Sequence, residues 1–176
     1  MPHAPCRVLT QRTKGLGAAA ARNLGMRLAT GAIVAHTDDD CRVPETWIEA
    51  GVQAFSGNVV IVYGPIYAKP EQRISFFSWI QEQHEPTGTY PTSNIFYRGD
   101  AARSIGLFDE SFDGNLLGRP RWGWDNDFAY RLLRMGYGAH FEPRAFAFTD
   151  VVELSPTEWL KTGWRHSMIP ETVRVT

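Results

Sequence analysis

The sequence predicts an α/β fold, a sheet with helices layered on it, and three observations carry that prediction. Two short apolar runs, AIVAHT at 32–37 and VVIVY at 59–63, are partly β-branched and read as strands buried in a sheet. The stretches before and between them carry helix signals, so strand, helix and strand alternate. A further helix at 125–135 has a glycine stop and is followed by two more short strands. With 176 residues and 43% apolar content, the chain can bury roughly 70% of its unfolded surface around one core. Residues 1–176 are therefore expected to form a single domain.

Taken in order, residues 7–10 form a brief extended segment, and Gly15 and Gly17 lead into an alanine-rich helix that runs to Ala29. Gly31 ends it. The strand at 32–37 suits a parallel sheet and runs straight into Asp38, Asp39 and Asp40. Pro44 opens a second helix, with Trp47, Ile48, Val52 and Phe55 on one side, which Gly57 and Asn58 close. After the strand at 59–63 the pattern is irregular from 65 to 91, with one amphipathic candidate helix at 74–83 carrying Phe76, Phe77, Trp79 and Ile80. Residues 93–97 read as a strand, 101–105 as a short helix and 114–123 as a Gly/Pro/Trp-rich loop. The helix at 125–135 ends before Gly136 and Gly138, and the runs AHF and AFAFT suggest the two last strands.

Charge excludes several partners. The 18 basic and 19 acidic residues are interspersed and sum to −1, so no broad basic face draws in nucleic acid or an anionic membrane. No apolar run approaches the roughly 20 residues of a spanning helix. The expected setting is cytoplasmic, with any membrane association peripheral, at the inner membrane face. Cys6 and Cys41 are too few for a disulfide framework and lack zinc-site spacing. The KGLG turn lacks the remainder of a phosphate loop, and no GxSxG elbow supports covalent catalysis.

Two acidic motifs carry the chemistry. A strand that ends in three aspartates sets carboxylates at its C-terminal edge, where ligand crevices of open α/β sheets lie. Their mutual repulsion is relieved by a hard divalent cation, Mg²⁺ or Mn²⁺, which takes one or two protein carboxylates and completes its shell with water and substrate phosphates. A solvated loop leading into a helix explains the triplet alone equally well. Further on, RWGWDNDFAYRLLRMGYG puts Asp125 and Asp127 at a helix start beside Trp122 and Trp124. Capping accounts for a carboxylate there. One partly buried against tryptophan would also have its pKa lifted toward the range of a general base. Aromatic walls suit sugar faces. His36, inside an apolar strand, reads as a packed or hydrogen-bonded core residue rather than a ligand, and the same caution against a ligand role applies to His84, His140 and His166.

The stretch ARNLGMRLATGAIVAHTDDDCRVPETW resembles the middle of family 2 glycosyltransferases, in which an Ala-Arg-Asn-x-Gly helix precedes a strand ending in a DXD-type motif. The resemblance implies a partial GT-A, Rossmann-like mixed sheet flanked by helices, lacking the first βαβ unit of such enzymes and so N-terminally truncated. It implies Asp38 and Asp40 as metal ligands and Asp39 as the middle, substrate-side acid, a position that ligates metal in some relatives. Arg22 matches the arginine near the nucleotide. The second motif is similar to the family's Gly-Glu-Asp-x-Asp-Leu segment, which makes Asp125 the catalytic base and Asp127 the second acid, with Trp124 where glutamate is usual. Trp122 and Trp124 are the implied sugar walls. TSNIFYRGDAARSIGLFDESF looks like the acceptor-side segment and assigns substrate contacts to Asn94 and Arg98, while Phe108 and Phe112 read as core and Asp109 as a turn or cap. Asp150 stands near the place of a histidine that ligates metal in some members. The implied reaction is metal-assisted, inverting transfer from a UDP- or GDP-sugar to a hydroxyl of a saccharide or lipid-linked acceptor. Two other readings stay open: a non-catalytic remnant of such an enzyme, and a metal-dependent phosphohydrolase or nucleotidyltransferase, which also uses acids at strand ends.

Overall fold

The computed structural model describes residues 8–11, 15, 17–113, 115–116, 119–120 and 123–160. Its main sheet has four strands in the order β1 (Ile33–Thr37), β5 (Asn94–Arg98), β2 (Val59–Tyr63) and β8 (Gly138–Phe141). β1 and β2 both run antiparallel to β5, and only β2 and β8 are parallel. The sheet is mixed, as expected, but the parallel neighbour expected for 32–37 is replaced by antiparallel β5, and within this sheet β1 is an edge on which Val34 alone is buried. A short apolar run records burial, not the direction of its partner. Two-stranded ribbons surround the sheet: β3 (Ile66–Ala68) with β9 (Ala147–Thr149), β4 (Ser78–Trp79) with β10 (Val152–Glu153), and β6 (Asn115–Leu116) with β7 (Arg119–Pro120).

Helices cover both faces. On one, α1 (Ala18–Leu28), α3 (Gly99–Ser104) and α4 (Trp124–Arg134) bury Ala19, Met26, Ala102, Phe128 and Leu132 against Ile95 and Tyr97. On the other, α2 (Trp47–Gln53) packs Trp47 and Ala50 on Val62 and Phe96. Alternation along a strand explains the split: Asn94 and Phe96 face α2, whereas Ile95 and Tyr97 face α1 and α4.

The core face of α2 is Trp47, Ala50 and Gly51, so Ile48 and Val52 are exposed rather than packed with Trp47 as their spacing suggested. Gly51 sets that rotation. A β-carbon there would lie 2.3 Å from Cζ of the fully buried Phe96 ring. Gly51→Ala is expected to cost about 1–3 kcal/mol through overpacking. Gly25→Ala on α1, where a β-carbon meets nothing within 4 Å, should stabilise by about 0.4–1 kcal/mol. Chemical denaturation of the two variants checks both signs.

The helix expected at 74–83 does not form. Ser75 and Ser78 exchange hydrogen bonds across a turn, with the Ser75 amide donating to Ser78 Oγ (2.8 Å) and the Ser78 amide to the Ser75 carbonyl (3.2 Å). Such side chains compete with helical bonding. The chain then enters β4, and the apolar residues read as a helix face split between a surface cluster of Phe76, Phe77 and Trp159 and the strand that carries Trp79.

α1 is fixed by its neighbours. The amides of Ala19 and Ala20 donate to the two Asp113 carboxylate oxygens at 3.0 and 2.8 Å. The anion at this helix start is thus the protein's own, placed by the 3₁₀ turn Glu110–Asp113, and Gly17 leaves it room. Buried Asn23 ties the same helix to residues 108–110, accepting from the Phe108 amide and donating to the Phe108 carbonyl and to Glu110.

Candidate functional site

Along β1, Val34 and His36 point to the α1/α4 face, and Asp38, one step past the strand, keeps that direction. There Asp38 forms an ion pair with Arg22 of α1. The Arg22 guanidinium also lies over the Trp124 ring, 4.6 Å from its centroid. Trp124 in turn packs edge-on against Phe108 at 5.4 Å. Gly123, at φ 99°, turns the chain into α4 and so sets Trp124 and Asp125 at the rim. Arg22, Asp38, Trp124 and Asp125 share one cleft of about 470 Å³, with Trp79 and Ser93 among the residues on its walls.

Burial governs its electrostatics. It raises the Asp38 carboxyl above the ordinary aspartate value, the Arg22 charge opposing and Asp40 and Asp39 adding to the shift. Asp125 is raised too, again chiefly by burial, although the Asn126 amide donates to its Oδ1 at 2.8 Å and opposes the shift. His36 is pushed down to about 4 by burial and by Arg22, so its ring is neutral at pH 7. It sits edge-on between Tyr97 and Phe108, which fits the core role expected of it.

Several other sequence candidates lie elsewhere. Asn94 is fully buried on the α2 face, where it accepts from Trp47 Nε1 (2.8 Å) and donates to the carbonyls of Pro65 (2.9 Å) and Ala145 (2.8 Å). It is a core strut and does not line the cleft. Arg98 pairs across the sheet with Ile33, at the end of β1 opposite Asp38, and its side chain meets Asp100. Four residues of strand put it roughly 13 Å from the triplet end. Asp127 faces along its helix to Arg131 (2.9 Å), whose guanidinium donates to the carbonyls of Ile105 and Leu107. Asp150 accepts from Lys69 and Gln72, at 2.8 and 2.9 Å. Trp122 lies outside the described residues. Sequence reasoning missed Ser93 and put Trp79 on a helix; neither has a periodicity that marks it as cleft wall.

The triplet has the hard oxygen donors that a divalent cation takes. Asp39 and Asp40 are exposed in the turn after β1, and among the described residues Asp40 accepts only a long Cys41 thiol contact, 3.5 Å. Asp38 already answers a cation, the Arg22 guanidinium. Among the described residues no three His, Cys, Asp or Glu side chains converge as a metal cage. The donor set fits Mg²⁺ or Mn²⁺ held by one or two carboxylates and completed by substrate phosphates. Among the described residues no helix is long and apolar enough to cross a membrane.

Comparison with known proteins bears on the family and the fold. A family model described as glycosyl transferase family 2 matches residues 3–111. Glycosyltransferase AglE of Haloferax volcanii is 33% identical over 101 residues, covering 52% of this chain and 33% of that protein. A pre-mycofactocin glycosyltransferase of Mycobacterium tuberculosis is 26% identical over 149 residues, covering 76% of this chain and 30% of that protein. The chain thus spans about a third of the length of these curated relatives. Among solved structures, GalNAc-T7 with UDP, GalNAc and Mn²⁺ superposes with a TM-score of 0.56 at 12% identity, covering 92% of this chain and 38% of that one. TarS of S. aureus superposes with a TM-score of 0.55 at 13% identity, covering 86% of this chain and 27% of that one. These two likenesses bear on the fold, and the mixed sheet flanked by helices is the GT-A arrangement the sequence resemblance implied.

Proposed function

The chain belongs to glycosyl transferase family 2, and from that premise we propose that it carries the site for inverting transfer of a sugar from a UDP- or GDP-sugar to an acceptor hydroxyl. The observation that carries this reading is one cleft in which Asp38, from the first acidic motif, and Asp125, from the second, are joined through Arg22 and Trp124. A donor site and a base are what the reaction needs side by side.

Asp38 and Asp40 would hold a Mg²⁺ or Mn²⁺ ion, with Asp39 on the substrate side. Such an ion would supply positive charge to the departing nucleoside diphosphate. Arg22, already in the cleft as a cation, turns from Asp38 toward a phosphate oxygen or the base. Trp124 offers its ring to a sugar face. The Asp125 carboxylate accepts the proton of the acceptor hydroxyl as that oxygen bonds to the anomeric carbon. The bond from that carbon to the diphosphate oxygen breaks, its electron pair leaves with the diphosphate, and the configuration inverts. The acceptor is a saccharide or lipid-linked hydroxyl, and the same reading keeps residues 1–176 as one domain in a cytoplasmic or peripheral inner-face setting.

Supplying UDP- and GDP-sugars with Mn²⁺ and a panel of saccharide acceptors tests this reading, with products followed by NMR. A glycoside of inverted configuration supports it. Release of sugar or phosphate with no acceptor product would favour a phosphohydrolase or nucleotidyltransferase, and neither turnover nor nucleotide binding would favour a remnant. Because the base acts as an anion and burial raises it, turnover should fall on acidification through a midpoint above the 3.8 of an ordinary aspartate. A pH–rate profile checks the position of that limb.

A further inference from the structure

Beneath the cleft two unpaired polar groups lie in a layer built mainly of apolar side chains. Tyr97, on the central strand β5, is fully buried, and among the described residues its hydroxyl has no hydrogen-bond partner. The same holds for Nε2 of His36 on the adjacent edge strand. The two rings meet edge-on with centroids 5.8 Å apart. An unpaired buried hydroxyl is destabilising, a cost that phenylalanine would avoid at nearly the same volume.

Its surroundings indicate what the hydroxyl is for. The Tyr97 ring packs edge-on against Phe128 of α4, centroids 5.1 Å apart. Phe128 lies one helical turn after Asp125 and shares its helix face. The Tyr97 ring is therefore packed between His36 of β1 and Phe128 of α4, the helix whose first turn carries Asp125. Electrostatics agrees: after burial, the Asp125 charge is the largest influence raising Tyr97. The other charged groups that act on Asp125 are Arg22 from α1 and Asp38 just past β1; Tyr97 also meets the His36 ring and feels Tyr90, and on α4 itself Asp127 is paired with Arg131.

We propose that Tyr97 is a positioning residue for Asp125, its hydroxyl donating a hydrogen bond to the carboxylate when donor and acceptor load the cleft. The inference rests on the reading of Asp125 as the base. The hydroxyl then holds one carboxylate oxygen inward, leaves the other aimed at the acceptor, and favours the anion.

Tyr97→Phe separates this role from packing. A positioning role predicts that kcat falls about tenfold, the scale of one hydrogen bond to a charged group, with donor KM unchanged. The acid limb of the kcat profile moves up by about one pH unit, because the anion loses a donor. Thermal stability holds or rises. In an Asp125→Asn background the substitution should cause no further loss, since the group it acts on is gone. Wild-type kcat with an unmoved limb, or the same loss in both backgrounds, would overturn the inference while leaving the base reading intact. Normal turnover by Asp125→Asn alone would remove the base reading and this inference with it.

Discussion

Asp125→Asn should reduce turnover by roughly 10²- to 10⁴-fold, the span of general-base assistance, while leaving the affinity for a nucleoside diphosphate close to wild type. The substitution keeps the size and one oxygen of the side chain, so the hydrogen bond from the Asn126 amide to Oδ1 can persist. What it removes is the proton acceptor. Burial already disfavours the charged carboxyl, and a neutral amide at the same place relieves that cost, so the variant should be at least as stable as the parent. Loss of rate with retained fold and nucleotide binding is the expected combination, measured by steady-state kinetics beside calorimetric titration. A fall in nucleotide affinity equal to the fall in rate would place Asp125 in the donor site instead.

Much of this arrangement was legible in the sequence. The strand ending in three aspartates, the arginine-bearing helix before it and the second acidic motif at a helix start all stand where the residues suggested, because each is a local pattern. The family resemblance supplied their pairing, which no local pattern carries. Misreadings arose where tertiary contacts decide. Asn94 lay in a matching segment, yet the alternation of β5 turns it to the α2 face and binds it to Trp47 Nε1. Arg98, four residues on, is carried by the strand to the far end of β1. Residues 74–83 had helical spacing, but Ser75 and Ser78 close a turn there, and only the pairing of β4 with β10 brings Trp79 toward the cleft. The Tyr97 hydroxyl had no sequence signal, because a tyrosine in an apolar strand looks like any other core aromatic.

The complementary experiment lies in the triplet. Asp38 and Asp40 were both expected to hold the cation, but they stand differently. Asp38 neutralises Arg22, so Asp38→Ala would also strip a half-buried guanidinium of its partner and disturb Trp124 beneath it. Its effect would mix a lost ligand with a rearranged cleft. Asp40 is exposed and holds no ion pair among the described residues, so Asp40→Ala changes little except the carboxylate offered to a cation. With Mn²⁺ present, this variant should bind UDP or GDP one to two orders of magnitude more weakly than wild type, the scale of a lost charged contact of roughly 1.5–3 kcal/mol. In EDTA the two proteins should bind alike, because no cation remains for Asp40 to hold. Titration of both nucleotides under both conditions reads this directly. If Asp40→Ala binds as the wild type does in Mn²⁺, the cation does not rest on Asp40, and Asp39, the middle acid of the motif, becomes the next residue to substitute.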